Sequence, residues 1–295
     1  MSLKSKIQAV YDIIHMKFIK NKKPLSVMSI EDTLKLIIEK ELSVTRYGDG
    51  ELLMMADQMN ESFQDYDPFI AQKLKQVLKS KRDDLLICIP DVFNDMSQYN
   101  EVAMKWFRYF LRRKKYLFYR YFDENTTYGN LAITRCYMDY IDKSKCERYF
   151  ELLKKIWNDK DVVFIEGEFS RLGVGNDLFD NAKSIRRILA PSRNAYLKYD
   201  EIMDEARKIE KDALILIALG ATATALAYDL TNEGYRVIDS GHIDIEYEWM
   251  RMGATEKVPI PLKYVNEAGS KGHSEERLDD EKYLGKIIAK IWTKF

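Results

Sequence analysis

The sequence has no excess of charge of either sign, because Lys and Arg together number 47 and so do Asp and Glu. A net charge of zero argues against a protein that binds nucleic acid through broad electrostatic attraction. The sequence is also poor in cysteine. Its three cysteines, Cys88, Cys136 and Cys146, lack the spacing of metal ligands. They indicate reduced thiols rather than a disulfide framework.

Long apolar segments are absent as well. The first residues contain neither the apolar region nor the small-residue cleavage site of a secretion signal. The longest uncharged run, 213–228, contains a glycine and two threonines. It is shorter than the roughly 20 apolar residues that a membrane-spanning helix needs. We therefore expect no transmembrane helix and a cytoplasmic location.

The composition that remains is that of an ordinary globular enzyme, with 46% hydrophobic and 32% charged residues in a chain of 295. Short apolar runs, typical of strands buried on both faces, alternate with segments of helical periodicity. The apolar runs are 42–45, 85–89, 116–119, 162–166, 187–190, 213–219 and 236–239. This alternation predicts an α/β fold with a mostly parallel sheet flanked by helices.

We predict one α/β domain over residues 1–295, with an N-terminal helix in 1–24 and a core over about 25–265. The last segment, 266–295, is predicted to hold a mobile loop placed to act as a lid, followed by a basic amphipathic helix. Docking of that helix on the core is the favoured interpretation, and peripheral contact with a membrane stays open as the alternative. The basic and aromatic stretch 106–122 is assigned to a core helix and strand rather than to nucleic-acid binding.

The most informative segment is Arg46-Tyr47-Gly48-Asp49-Gly50-Glu51, which joins a predicted strand to a predicted helix. This turn lies at the carboxyl edge of the sheet, where ligands collect. The Asp49 and Glu51 carboxylates can bind one hard divalent cation and leave positions open for phosphate and water. The residues alone support equally well an N-cap role for Asp49 with Glu51 in the first helical turn. The two roles are compatible.

A glycine-bearing segment, 166–177, follows the strand predicted at 162–166. Its glycines, Gly173 among them, free backbone N–H groups to bind an anion, and the Arg171 guanidinium can fork onto phosphate oxygens. Asn176 lies in the same segment. A purely structural loop is the alternative interpretation.

The segment 219–224 joins a strongly apolar strand to a helix. Small residues at a helix N-terminus, here Gly220 and Thr222, can bind phosphate. Asp239, at the end of the next strand, lies where dinucleotide-binding folds place a ribose-binding acid. The full glycine fingerprint of those folds is absent, and tight packing of helix on strand is the alternative.

Four titratable residues, His242, Asp244, Glu246 and Glu248, crowd the segment that follows the last predicted strand. Asp244 and Glu248 share one face if the segment is helical. One carboxylate can deprotonate an acceptor hydroxyl, and His242 can contact a phosphate or a metal-bound water. The alternative is a capped amphipathic helix with His242 on the surface.

Three of these segments, taken together and in order, resemble the GT-D glycosyltransferases, a family first catalogued as a domain of unknown function. They are 46–51, 170–180 and 241–247, and the resemblance extends over about residues 25–265. It implies a Rossmann-like fold of GT-D type, a UDP-sugar donor and a divalent metal, Mn²⁺ or Mg²⁺. It also implies an Asp-x-Glu metal motif, which maps onto Asp49 and Glu51.

Residues and resemblance together predict a metal-dependent enzyme that moves a hexose, glucose or galactose, from a UDP-sugar to a glycan acceptor on a bacterial surface glycoprotein or polysaccharide. An acid of the 244–248 segment is the predicted catalytic base. The predicted donor-binding residues are Arg46, Gly48, Arg171, Gly173, Asn176, Gly220, Thr222, Asp239 and His242. Two alternatives stay open: a methyltransferase or dehydrogenase that binds its cofactor through Gly220 and Asp239, and a non-catalytic sugar-nucleotide-binding subunit of a glycan assembly complex.

Overall fold

A parallel β-sheet forms the centre of the molecule. The computed structural model describes residues 3–58, 64–265, 267–268, 278 and 280–292. Its strands are β1 (Ser26–Val27), β2 (Ser43–Arg46), β3 (Leu85–Ile89), β4 (Thr127–Asn130), β5 (Asp161–Gly167), β6 (Ser184–Ala190), β7 (Leu214–Ala218), β8 (Arg236–Asp239) and β9 (Ile287–Lys290). They form one sheet in the order β1-β4-β3-β2-β8-β7-β5-β6-β9. All strand pairs described are parallel.

Helices cover both faces of the sheet, as the alternation of apolar runs predicts. They are α1 (Leu3–Phe18), α2 (Ile30–Glu39), α3 (Asp49–Met55), α4 (Pro68–Lys79), α5 (Glu101–Tyr121), α6 (Cys146–Trp157), α7 (Tyr199–Ala206), α8 (Ala221–Asn232), α9 (Ile243–Arg251) and α10 (Glu281–Leu284). Ser29, Asp67 and Asn100 cap α2, α4 and α5 through side-chain oxygens that accept a first-turn N–H. No helix in these ranges has the length and apolar character to cross a membrane.

The central strands contribute alternate side chains to two separate cores. Val163 and Ile165 of β5 pack in the core beneath α3, α4, α5, α7 and α8. Val162 and Phe164 of the same strand pack in the core beneath α2, α6 and α9. The side-chain period of a strand is two, so a continuous apolar run supplies both faces at once. The predicted α/β architecture with a mostly parallel sheet is confirmed.

The strand order places a switch point between β2 and β8. From β2 the chain continues to β3 and β4 on one side, whereas β8 is followed in the sheet by β7, β5 and β6 on the other. The helix after β2, α3, packs on one face of the sheet, and the helix after β8, α9, packs on the other. Ligands of open α/β sheets bind in the crevice that opens at such a point.

The strand predicted at 116–119 is wrong, because these residues lie within α5. The segment between 106 and 121 contains no glycine, proline or asparagine that would end a helix. Its Arg and Lys residues are good helix formers, and the helix continues through the aromatic run. Leu117 and Phe118 are buried within that helix and pack in the core.

The predicted C-terminal helix is also wrong. Only Glu281–Leu284 is helical, and Gly285 ends it. The next residues form β9, which pairs with β6 at the sheet edge. β-branched isoleucines at 287 and 288 favour a strand, and the exposed edge of β6 offers unpaired backbone groups. Most of the predicted lid loop lies outside the described residues.

Candidate functional site

A cavity of about 700 Å³ lies at the carboxyl edge of the sheet, at the switch point between β2 and β8. Polar residues from the segments after β2, β4, β8 and α9 line one part of it, and an apolar face of α5 lines another. The polar part comprises Arg46, Gly48, Asp49, Glu51, Arg135, Asp139, Gly241, His242, Asp244, Lys257 and Glu267. The cavity is large enough for a nucleotide-sized ligand, since small-molecule sites occupy roughly 300–1,000 Å³.

The acidic turn after β2 presents Asp49 to this cavity. Gly48 is the N-cap residue of α3, so Asp49 is the first helical residue and not the cap. The capping contact comes from Glu51 instead, whose Oε2 accepts the Gly48 N–H at 2.7 Å. The Asp49 carboxylate is thereby left exposed on the cavity wall.

The walls of the cavity raise the pKa of both carboxylates of this turn. Burial raises the pKa of Glu51 to about 7, against the lowering effect of the Gly48 N–H. The enclosing walls likewise raise the pKa of Asp49, although its own first-turn N–H groups oppose the shift. Desolvation of two neighbouring acids favours a bound cation, which would supply the missing positive charge.

Asp49 and Glu51 offer carboxylate oxygens, the ligand type that a hard divalent cation takes. The described residues form no cluster of three or more His, Cys, Asp or Glu side chains suited to a metal. A hard cation held by one or two carboxylates takes its other ligands from phosphate oxygens and water. The pair at this turn fits such a cation when a phosphate-bearing ligand is present.

Arg46 and Asp239, both predicted to bind the ligand, bind each other. Arg46 donates from Nε and Nη2 to Oδ1 of Asp239 at 3.1 and 3.0 Å, and from Nη1 to Thr134 Oγ1 at 2.8 Å. Thr224 Oγ1 donates to Oδ2 of Asp239 at 3.1 Å. Burial raises the pKa of Asp239, and Arg46 opposes that shift. The pair ties β2 to β8, with both Asp239 oxygens occupied. Arg46 lines the cavity, whereas Asp239 is buried behind it and is not among the described lining residues.

We expect Gly241→Ala to lower the free energy of unfolding by roughly 2–4 kcal/mol, from strain plus overpacking. A Cβ at this position would lie 2.0 Å from Nη2 of Arg46, and the backbone has φ +48°. Gly234→Ala is the matched control, since its φ is +86° but no atom lies within 4 Å of the added Cβ. Its expected loss is about 1 kcal/mol. Urea unfolding of both variants measures the difference, and equal losses would contradict the packing argument.

The glycine-bearing loop after β5 holds the protein's own carboxylates. The Gly173 N–H donates to Oδ1 of Asp244 at 2.9 Å. Asn176 Nδ2 donates to the same oxygen and to Oε1 of Glu248, both at 2.8 Å. Arg171 is buried and donates from Nη1 to the Leu262 carbonyl oxygen at 2.5 Å. These predicted phosphate donors thus stabilise the loop against α9.

Two of the three acids predicted to include the catalytic base, Asp244 and Glu248, share the partner Lys263, and Glu246 lies in a different environment. Asp244 lines the cavity and pairs with Lys263 through Oδ2 at 2.6 Å. Glu248 also approaches Lys263, at 3.3 Å. Glu246 Oε2 accepts the backbone N–H groups of Tyr137 and Met138 at 2.8 and 2.9 Å, and anchors that loop. Glu246 and Glu248 are not among the described cavity-lining residues.

Sequence reasoning missed Lys263, which is 2% exposed. The sequence feature that could have identified Lys263 is that it is the one charged residue in an apolar, proline-containing segment, 258–265. Such a lysine is buried only when a carboxylate pairs with it, because an isolated buried charge is very costly.

A second group that sequence reasoning missed is a charged cluster on the cavity wall. Arg135 donates to both oxygens of Glu267, at 2.5 and 3.0 Å, and to Asp139 at 3.4 Å. Lys257 binds Glu267 as well, and His242 Nε2 lies 3.5 Å from Oε1 of Glu267. Burial acts to raise the pKa of Glu267, but Arg135, His242 and Lys257 outweigh it and hold that pKa well below its ordinary value. The cluster gathers three cationic or protonatable groups around one carboxylate.

The N-terminus of α8 reaches the cavity through Gly220 and Ala221. Gly220 caps the helix with φ +56°, a conformation that favours glycine. Thr222 is fully buried, and its hydroxyl accepts a hydrogen bond from Gln64 Nε2 at 2.9 Å. Gly220 is therefore at the cavity, as predicted, and Thr222 lies behind its wall.

The apolar part of the lining is one face of α5. Its residues recur in two rows at a spacing of four, as expected for one helical face. They are Val102, Ala103, Trp106, Phe107, Phe110 and Leu111. The sequence assigned this stretch to the core, and the structure gives only part of it that role.

Comparison with known proteins gives the family. The model of the family described as Glycosyltransferase GT-D fold matches residues 44–268. The chain is 41% identical over 268 residues to the probable glycosyl transferase Gly of Streptococcus gordonii, covering 90% of this chain and 39% of that protein. It is 40% identical over 274 residues to the glycosyltransferase GlyD of Streptococcus pneumoniae serotype 4, covering 91% and 33%. The chain thus spans between a third and two fifths of these relatives' length.

Solved structures agree with this match. The highly conserved domain of unknown function 1792, described as having a distinct glycosyltransferase fold, superposes with a TM-score of 0.85 at 43% identity, over 95% of this chain and all of that one. A new glycosyltransferase of the same domain type from Streptococcus sanguinis gives 0.83 at 39% identity, over 91% and 100%. The chain therefore belongs to the GT-D glycosyltransferase family and has the α/β fold of that family.

Proposed function

We propose that the protein is a metal-dependent glycosyltransferase that moves a hexose, glucose or galactose, from a UDP-sugar to a glycan acceptor on a bacterial surface glycoprotein or polysaccharide. The observation that carries the proposal is the Asp49 carboxylate, exposed in a cavity of about 700 Å³ at the switch point of the sheet. The relatives named as glycosyltransferases support the same reaction class.

Asp49 and Glu51 are the residues proposed to hold Mn²⁺ or Mg²⁺. Both line the cavity and both offer oxygen ligands. When bound, the cation supplies positive charge that stabilises the diphosphate leaving group.

The chain's own cations are proposed to complete the donor site. Arg135 and Lys257 line the cavity beside His242, and their side chains already converge on one carboxylate, that of Glu267. Glu267 and Asp139 hold these cations in place, and positive groups fixed in this way need little reorganisation when charge develops on the leaving group. The N-terminus of α8 at Gly220 adds a positive helix end to the same wall.

The proton of the acceptor hydroxyl needs a base on the cavity wall. Among the three acids predicted for this role, the geometry favours Asp244, which alone of them lines the cavity. However, its oxygens already accept from Gly173, Asn176 and Lys263. A carboxylate with three donors is better placed to hold the loop and α9 together than to take a proton.

Cofactor chemistry through Gly220 and Asp239 has little support, because Arg46 and Thr224 occupy both Asp239 oxygens. Thermal-shift measurement tests the two enzyme classes directly. We expect UDP to raise the Tm only when Mn²⁺ or Mg²⁺ is present. Stabilisation by NAD or S-adenosylmethionine without metal would overturn the proposal.

Transfer itself is tested with a panel of UDP-hexoses, Mn²⁺ and oligosaccharide acceptors. We expect UDP release that depends on the metal, and a glycosylated product with at least one acceptor. Metal-dependent UDP binding with neither hydrolysis nor transfer would favour a non-catalytic sugar-nucleotide-binding subunit instead.

A further inference from the structure

We propose that the cavity-lining face of α5 binds the acceptor glycan, with the Trp106 ring as the platform on which an acceptor sugar stacks. This inference rests on the proposed glycosyl transfer and names the place of its second substrate. It assigns a specificity-determining role to a residue outside the donor and metal groups described above.

The dimensions of the α5 face suit an extended ligand. The lining residues run from Val102 to Leu111, which corresponds to about 14 Å along a helix axis. Such a wall is longer than one sugar ring. It accommodates an acceptor sugar together with part of the chain that carries it.

Exposure along the face changes from the rim to the interior. Val102 is 75% exposed and Trp106 is 49% exposed, whereas Phe110, one turn further on, is 7% exposed. Trp157 and Trp249 are fully buried. A large aromatic ring left half open at a cavity mouth, next to further apolar surface, is typical of a binding surface.

The chemistry of the wall matches a sugar better than a lipid chain. The C–H groups on one face of a pyranose are weakly positive and pack on the negative face of an aromatic ring. The hydroxyls around the ring edge need polar partners. A lipid chain would instead need apolar surface along its whole length, whereas the apolar face of α5 ends at charged residues.

Those polar partners lie at the N-terminal end of α5. The backbone N–H of Asn100, the α5 N-cap, donates to the Asp139 carbonyl oxygen at 2.9 Å. Trp106 lies about 9 Å beyond Asn100 along the α5 axis, and the side chains of a helix lean toward its N-terminus. A sugar on the Trp106 ring would therefore extend toward Asp139 and Lys257, the edge of the charged cluster.

The test compares Trp106→Ala and Trp106→Phe with Trp292→Ala. Trp292 is 46% exposed and is not among the described lining residues, so it is a matched control. Two readouts are used: steady-state transfer kinetics, and saturation-transfer NMR with maltose, cellobiose, lactose and chitobiose. For Trp106→Ala we expect a rise of about tenfold in the acceptor KM and in the disaccharide Kd. UDP affinity in Mn²⁺ and UDP-sugar hydrolysis should stay within twofold of wild type.

Trp106→Phe should recover most of the acceptor affinity, because it restores an aromatic face, and Trp292→Ala should behave as wild type. A fall in UDP affinity in Trp106→Ala would overturn the inference, since the wall would then hold the donor. Unchanged acceptor KM and disaccharide Kd would overturn it too. If wild type shows neither transfer nor hydrolysis, the proposed function fails. The NMR comparison would still test whether the α5 face binds a glycan. Absence of disaccharide binding to the wild-type protein would contradict the proposed glycan site.

Discussion

Replacing Asp49 with asparagine is expected to lower turnover about 10²–10³-fold and to abolish the Mn²⁺-dependent rise in Tm caused by UDP. The loss corresponds to about 3–4 kcal/mol of transition-state stabilisation. That is the size expected when a group that offsets charge on the leaving phosphate is removed. The change is nearly isosteric, and Asp49 is exposed on the cavity wall. We therefore expect the Tm without ligand to be unchanged.

Asp83→Asn is the control for the Asp49 variant, because Asp83 is an exposed aspartate outside the described cavity lining. Isothermal titration of UDP with and without Mn²⁺ separates metal-dependent binding from binding as such. Metal-dependent UDP binding that survives in Asp49→Asn at wild-type affinity would show that the cation is held elsewhere. Glu51→Gln gives a second check. It keeps an acceptor for the Gly48 N–H, the contact at 2.7 Å, while removing the charge.

The sequence predicts the fold correctly where the signals for helices and strands are local. Apolar runs such as 162–165 supply two cores with alternate side chains, and cap residues such as Ser29 mark helix starts. The sequence predicted the wrong element for the runs at 116–119 and 287–291, because their apolar residues fit both the helical and the strand period. Long-range context decided both: α5 continues as one helix, and β9 completes a sheet edge.

The sequence predicts only part of the candidate site. The acidic turn carries its own signal, since a strand, a glycine and two acids occur in one short segment. Arg135 is 132 residues away from Glu267 in the sequence, Lys257 is 10 residues from Glu267, and neither segment directly follows a predicted strand. No local sequence pattern connects these residues, and only the fold brings them together.

Hydrogen-bonding partners were the least predictable feature. Gly173 and Asn176 do present donors to an anion, as the sequence indicates, but that anion is Asp244 of the same chain. Arg46 likewise binds a carboxylate, that of Asp239, 193 residues away. A sequence shows which donors a loop offers, and it does not show whether a ligand or the protein itself occupies them.

Lys263→Met is expected to lower the free energy of unfolding by about 3–5 kcal/mol, because it leaves Asp244 buried without its cation. The side chains of Lys263 and Asp244 are each 1% exposed, with Nζ 2.6 Å from Oδ2. For a chain of this size the loss corresponds to roughly 10 °C in Tm. Lys160→Met is the control, since Lys160 pairs with Glu41 at the surface, where the two side chains are 43% and 62% exposed. Surface pairs contribute only about 0–1 kcal/mol. A Tm for Lys263→Met within 2 °C of that control would contradict the buried-pair argument.

The double variant Lys263→Met with Asp244→Asn distinguishes a pairing role for Asp244 from a catalytic one. Removing both charges together leaves no buried charge at position 244, and the asparagine oxygen still accepts from Gly173 and Asn176. Glu248 loses Lys263 as well but keeps Asn176 Nδ2 at 2.8 Å and Arg251 Nη1 at 3.9 Å. We therefore expect the double variant to regain more than half of the stability lost in Lys263→Met. Its turnover per folded molecule, with the folded fraction measured by circular dichroism, should stay within tenfold of wild type. A double variant that folds but is at least 10³-fold slower would instead make Asp244 the catalytic base. The three donors on its carboxylate would then orient it for proton transfer rather than only hold α9 in place.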